Sequence, residues 1–117
     1  MSICNLEYLK SVTPGNNAFP IQIIELFLSD TPKTILKIKE ALEVSNWVEV
    51  YAHAHKIKPS ISMLGFSGEI IEALLKINEF SKNCTNLDQI PALFYSLNQE
   101  LEKAYAELQI ELLQLKN

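Results

Sequence analysis

The stretch NWVEVYAHAHKIKPSISMLGF, residues 46–66, decides the fold because its apolar residues recur at helical spacing. On a helical wheel with about 100° per residue, one face carries the aliphatic side chains Val50, Ile57, Ile61 and Leu64, with Ala54 at its edge. Asn46 supplies an N-cap signal just before this face begins. The stretch therefore predicts an amphipathic helix over about residues 46–64.

The rest of the chain keeps the helical period, and no segment alternates apolar and polar residues as a half-buried strand would. The spacing predicts further helices over about residues 3–11, from residues 19–20 onward, over 69–81 and over 88–115. Pro32 allows two interpretations, because it can open a new helix capped by Asp30 or Thr31 or interrupt a continuous one. Taken together, these helices predict an all-α, up-and-down four-helix bundle with a short extra N-terminal helix.

Length and charge limit the classes of function. A chain of 117 residues suits one domain, residues 1–117, and a net charge of -4 argues against nucleic-acid binding. The chain shows no signal peptide and no apolar run long enough to span a bilayer, so we expect a cytoplasmic protein. Cys4 and Cys84 lack metal-ligand spacing and are expected to be reduced thiols. We expect a monomer, and Met1 favours a stand-alone protein.

The wheel separates the two histidines of the chain. His55 lies on a face of polar and small side chains, whereas His53 lies about 160° away, on or near the core face. Residues two apart on a helix do not face each other, so this pair cannot chelate a metal ion. An exposed imidazole is a nucleophile near neutral pH, and Lys58, three residues later, could stabilise a phosphoryl group bound to it. On residue types alone, an ordinary solvent-exposed His–Lys pair is the favoured interpretation, because exposed polar residues rarely need a special role.

The string AHKIKPSISMLG, residues 54–65, resembles the signature of the histidine-containing phosphotransfer (HPt) domain family. That signature runs Ala-His-x-Leu-Lys-Gly-Ser and, a few residues later, Leu-Gly. Segments 25–32 and 41–47 also resemble the family, so the likeness covers about residues 20–80. It implies a phosphorelay intermediate of two-component signalling, which accepts a phosphoryl group from a receiver-domain phospho-aspartate and passes it to another receiver aspartate.

The resemblance also assigns roles to residues. His55 would be the phosphoacceptor and Lys58 would stabilise the phosphoryl group. Gly65 would be the small residue where this helix packs closely on its neighbour, and Ile57 would take the usual Leu place in the core. Pro59 departs from the family, which usually has Gly there. Its ring removes a helical hydrogen bond to the His55 carbonyl, and the resulting kink could tilt His55 outward or hinder docking.

The implied partners are the receiver domains of response regulators and of hybrid histidine kinases. The residues that we expect to contact them are Tyr51, Ala52, Lys56, Pro59, Ser62 and Phe66, although the two aromatic side chains could instead pack against a neighbouring helix. We expect no metal or cofactor in this chain, with Mg²⁺ only in the receiver, and no membrane partner. Without a glycine-rich phosphate loop, no ATP-dependent kinase activity is expected. The alternatives are a helical interaction module that binds a partner without carrying phosphate, and a purely structural bundle.

Overall fold

Five α-helices make up the fold in the computed structural model, which describes residues 3–117. They are α1 (Glu7–Val12), α2 (Ala18–Glu43), α3 (Trp47–Met63), α4 (Gly68–Asn83) and α5 (Ile90–Lys116), and a 3₁₀ turn, Leu87–Gln89, precedes α5. No strand occurs between residues 3 and 117, so the prediction of an all-α fold with four long helices and one short one is confirmed. The expectation drawn from Met1 lies outside the described residues.

The four long helices pack in a ring around one core. Helix α2 packs on α3, α3 on α4, α4 on α5, and α5 back on α2. Helices α3 and α5 therefore lie at diagonal corners. The predicted core face of α3 is confirmed, because Val50, Ala54, Ile57, Ile61 and Leu64 are each at most 3% exposed. This burial fixes the rotation of α3 and leaves its opposite face to solvent.

Helix α2 continues through Pro32, which decides between the two interpretations of that segment. The buried stripe runs from Phe27 through Thr31 to Ile35 and Ile38 without a break, while the Pro32 side chain is exposed. A proline inside a helix removes one backbone hydrogen bond. Because the apolar stripe on both sides of the proline is buried against the same core, that loss does not end the helix.

The first helix begins later than its spacing predicts. Residues 3–6 form an irregular segment, here called the N-terminal strap, and the N–H groups of its first three residues have partners elsewhere in the fold. The N–H groups of Ile3 and Cys4 donate to the Glu107 carboxylate at 2.6 and 3.2 Å. The Asn5 side-chain oxygen accepts from the Glu7 N–H at 3.0 Å, an Asx turn that leads into the helix.

Gly65 explains how the strap reaches the end of α3. The Asn5 N–H donates to the carbonyls of Leu64 and Gly65 at 3.2 and 3.0 Å. Gly65 has a φ of +68°, and a Cβ there would collide with the Asn5 carbonyl oxygen. The close approach is therefore to the strap, beyond the end of α3, and not to a neighbouring helix as the resemblance implied.

Candidate functional site

His55 projects from the exposed face of α3, as the wheel predicted. The Tyr51 ring, one turn earlier, stacks on the imidazole with ring centroids 5.5 Å apart and an interplanar angle of 22°. Tyr51 itself is partly buried. Stacking on a partly buried ring restricts the rotamers of His55 and holds the imidazole at the surface.

A shallow groove between α3 and α4 runs beside the imidazole and has a volume of about 320 Å³. Its lining residues are Tyr51, His55 and Lys58 from α3 and Leu75, Asn78, Glu79, Lys82 and Asn83 from α4. The groove brings Lys58 beside His55, which is the pairing that the sequence predicted. The contribution of α4 could not be read from the motif, because the motif ends before α4 begins.

The charge of this groove differs from that of the whole chain. Lysines outnumber carboxylates in its lining, whereas the chain has a net charge of -4. Neither Lys58 nor Lys82 forms an ion pair in the part of the chain that the structure describes. Their ammonium groups are therefore available to an incoming anion.

Asn78 is the feature of the groove that sequence reasoning missed. Its side chain is only 8% exposed, and within residues 3–117 its Oδ1 has no hydrogen-bond partner. A buried amide oxygen without a partner destabilises a fold by about 1–3 kcal/mol. The available signal was a polar residue within the buried stripe of α4, next to Ile77 and four residues after Leu74.

His53 occupies a different environment from His55. Its side chain is 22% exposed, and its Nε2 lies 3.1 Å from the Glu49 Oε2, one turn earlier on α3. It thus lies at the edge of the core face and takes no part in the groove. Among the described residues, no group of three or more His, Cys, Asp or Glu side chains could hold a metal ion.

The expected docking residues divide by exposure. Ala52, Lys56, Pro59 and Ser62 are exposed and Tyr51 is partly so. The expectation that Phe66 contacts the receiver is wrong, because its side chain is 4% exposed and packs on Phe27 with ring centroids 5.8 Å apart. The left-handed turn at Gly65 directs the chain back into the bundle, so the Phe66 ring enters the core.

The geometry supports phosphoryl transfer to nitrogen. An exposed imidazole is held by an aromatic neighbour, a free ammonium group lines the same groove, and a buried amide borders it. An imidazole can act as a nucleophile and an ammonium group can neutralise phosphoryl oxygens, so the groove holds the residue types that this chemistry uses. The family model described as the Hpt domain matches residues 22–116.

The chain belongs to the Hpt domain family. For an Hpt domain, this membership implies histidine phosphotransfer in a phosphorelay and interaction with receiver domains. Searches of curated proteins and of solved structures gave no match. In this Hpt domain, no helix within residues 3–117 is both long and apolar enough to cross a membrane.

Proposed function

We propose that this Hpt domain is a phosphorelay intermediate whose phosphoacceptor is His55. It accepts a phosphoryl group from the phospho-aspartate of one receiver domain and passes it to the aspartate of another. The observation that carries the proposal is the position of His55, exposed on α3 and sharing a groove with the unpaired Lys58. His53 lacks that setting, because it is partly buried beside Glu49.

The transfer requires little chemistry from this chain. The unprotonated ring nitrogen of His55 attacks the phosphorus of the aspartyl phosphate, an N–P bond forms, and the P–O bond to the aspartate breaks. The aspartate leaves as a carboxylate, and the other ring nitrogen keeps its proton. Lys58 lies where its ammonium can neutralise the phosphoryl oxygens. Transfer to the second receiver is the same reaction in reverse.

The partner supplies the remaining machinery. We propose that Mg²⁺ is held by the receiver and that this chain needs no cofactor and has no ATP-dependent kinase activity. The receiver is expected to cover the exposed residues around His55, namely Tyr51, Ala52, Lys56, Pro59 and Ser62. Phe66 is excluded from that surface by its burial.

The test is phosphoryl transfer from a panel of phosphorylated receiver domains to three proteins, which are the wild type, His55→Gln and His53→Gln. We expect an acid-labile, base-stable label on the wild type and on His53→Gln, and none on His55→Gln. Glutamine keeps the size and polarity of histidine but cannot form the N–P bond, and His53→Gln is the matched control on the same helix.

Two results would contradict the proposal. Label that persists in His55→Gln would move the acceptor elsewhere. A folded wild type that binds receivers but takes no label would favour the alternative of an interaction module that carries no phosphate. The first explanation for the missing label would then be Pro59, which stands where the family usually has glycine.

A further inference from the structure

Helix α1 presents an exposed aromatic side chain next to the C-terminal half of α3. Tyr8 is 64% exposed, whereas its neighbour Leu9 is fully buried. The Lys10 Nζ donates to the Glu111 Oε1 at 2.8 Å, which ties α1 to α5. Buried Leu9 and this ion pair fix the rotation of the helix, so the exposure of Tyr8 is set by the fold.

The Tyr8 side chain forms one wall of a cleft against α3. The other lining residues are Pro59, Ser62 and Met63, and the cleft has a volume of about 380 Å³. The tyrosine ring, the proline ring and the methionine side chain make this lining mainly apolar. A cleft of this kind accepts an apolar side chain from a partner.

The cleft lies within the area that a partner at His55 must cover. Pro59 and Ser62 lie within about 40° of His55 on the wheel and about 6–10 Å further along α3. A stable interface covers about 800 Å² on each protein, which corresponds to a disc with a radius of about 16 Å. An interface of this size that is centred on the His55 imidazole therefore also covers the cleft.

We propose that Tyr8 is a specificity-determining residue for the receiver domain, and that an apolar side chain of the receiver docks between Tyr8, Pro59 and Met63. This inference rests on the proposed function. It goes beyond family membership, because α1 lies outside residues 22–116, which the family model matches. Two chains with the same motif can therefore differ in partner through α1.

The experiment measures transfer from the receiver that labels the wild type fastest, over a range of receiver concentrations. Tyr8→Ala is expected to raise KM about tenfold, as loss of an interface anchor does, and to change kcat by less than about twofold. Tyr8→Phe should behave as the wild type, because the ring is retained. Tyr95→Ala is the matched control, since Tyr95 is 63% exposed on α5, diagonally across the bundle from α3.

Chemical labelling of His55 with phosphoramidate distinguishes a lost docking contact from a loss of His55 reactivity. It needs no partner, so Tyr8→Ala and the wild type should be labelled at equal rates. An unchanged KM in Tyr8→Ala, or an equal rise in Tyr95→Ala, would overturn the role of Tyr8 while leaving the proposed function standing. No label on the wild type from any receiver would overturn the proposed function and this inference with it.

Discussion

Lys58 shares the groove with His55 and has no ion-pair partner within residues 3–117. A hydrogen bond to a charged group contributes about 1.5–3 kcal/mol, which corresponds to a factor of about 10–100 in rate or lifetime. We predict that Lys58→Ala slows transfer to His55 and shortens the half-life of the phosphohistidine by factors in that range. Rapid-quench transfer assays and the decay of the labelled protein measure the two effects.

The control for Lys58 is Lys103→Ala. Lys103 lies on α5, exposed, with its Nζ 3.2 Å from the Glu100 carboxylate. Its removal deletes the same positive charge at a position remote from the groove. If both variants slowed transfer equally, the effect would belong to the net charge of the chain and Lys58 would have no local role.

Asn78 combines burial, an orphaned oxygen and a position in the His55 groove. Leucine has a similar volume without a polar atom, so Asn78→Leu should raise the free energy of unfolding by about 1 kcal/mol. The same change should slow transfer to His55, because it removes the amide from the groove. Urea unfolding and transfer kinetics on one preparation measure both quantities.

A higher free energy of unfolding together with slower transfer in Asn78→Leu would identify Asn78 as a polar residue that serves the function and lowers the stability of the fold. The comparison variant is Ser81→Ala, also buried on α4, whose hydroxyl donates to the Ile77 carbonyl at 2.6 Å. That change should lower stability and leave transfer unchanged. An Asn78→Leu protein that is less stable than the wild type, with normal transfer, would contradict our interpretation of Asn78.

At the scale of elements, the strap depends on one glycine. Gly65 and Gly15 both have positive φ, +68° and +76°, but only at Gly65 does a Cβ meet the backbone of another segment. Alanine in a left-handed conformation costs about 1–2 kcal/mol. We therefore predict a loss of about that size for Gly15→Ala and a clearly larger one for Gly65→Ala, measured by denaturant unfolding.

Hydrogen exchange distinguishes the two alanine variants locally. In Gly65→Ala the Asn5 amide should exchange much faster than in the wild type, because its bonds to the carbonyls of Leu64 and Gly65 are displaced. In Gly15→Ala it should keep its protection, since a Cβ there meets open space. Equal stability losses with equal protection of Asn5 would mean that the strap tolerates the extra methyl group.

The elements also show what helical periodicity can predict. The period located the four long helices because each buries one apolar stripe, which a sequence displays directly. It also indicated the short first helix, but placed its start four residues too early. It could not show that residues 3–6 leave the first helix, since their partners, Glu107 and the carbonyls at 64 and 65, are distant in sequence. It also left Pro32 ambiguous, because burial on both sides of the proline is a property of the folded core.

At the scale of the molecule, the α3 side of the candidate groove was predictable from the sequence and the α4 side was not. The wheel places His55 and Lys58 on one exposed face because both lie on a single helix whose rotation the core fixes. Asn78 and Leu75 reach the same groove only through the packing of α4 on α3, which no local pattern encodes. Phe66 was misassigned for the same reason, because a turn after the helix carries it inward.

Stability at high pH is a property of the whole fold because the fold buries two acidic groups, the Cys4 thiol and the Tyr105 hydroxyl. Burial, and then the charge of Glu107, raises the pKa of Cys4 from 9.0 to about 12. Burial, and then the charge of Glu102, raises the pKa of Tyr105 from 10.0 to about 12. Between pH 9 and 12 the unfolded chain therefore releases protons that the folded chain retains, and the free energy of unfolding falls as pH rises.

Replacing both acids should make the free energy of unfolding decrease less steeply as pH rises. In Cys4→Ala with Tyr105→Phe, the decrease in the free energy of unfolding from pH 9 to pH 12 should be smaller than in the wild type. Below pH 9 the difference in the free energy of unfolding between the two proteins should stay constant.

Tyr105→Phe should also add stability at neutral pH, since within residues 3–117 the Tyr105 hydroxyl is buried without a hydrogen-bond partner. Urea unfolding at a series of pH values gives both comparisons, and Tyr95→Phe, at a tyrosine that is 63% exposed, is the control. Parallel curves for the double variant and the wild type above pH 9 would show that other groups, such as the lysines, dominate alkaline unfolding.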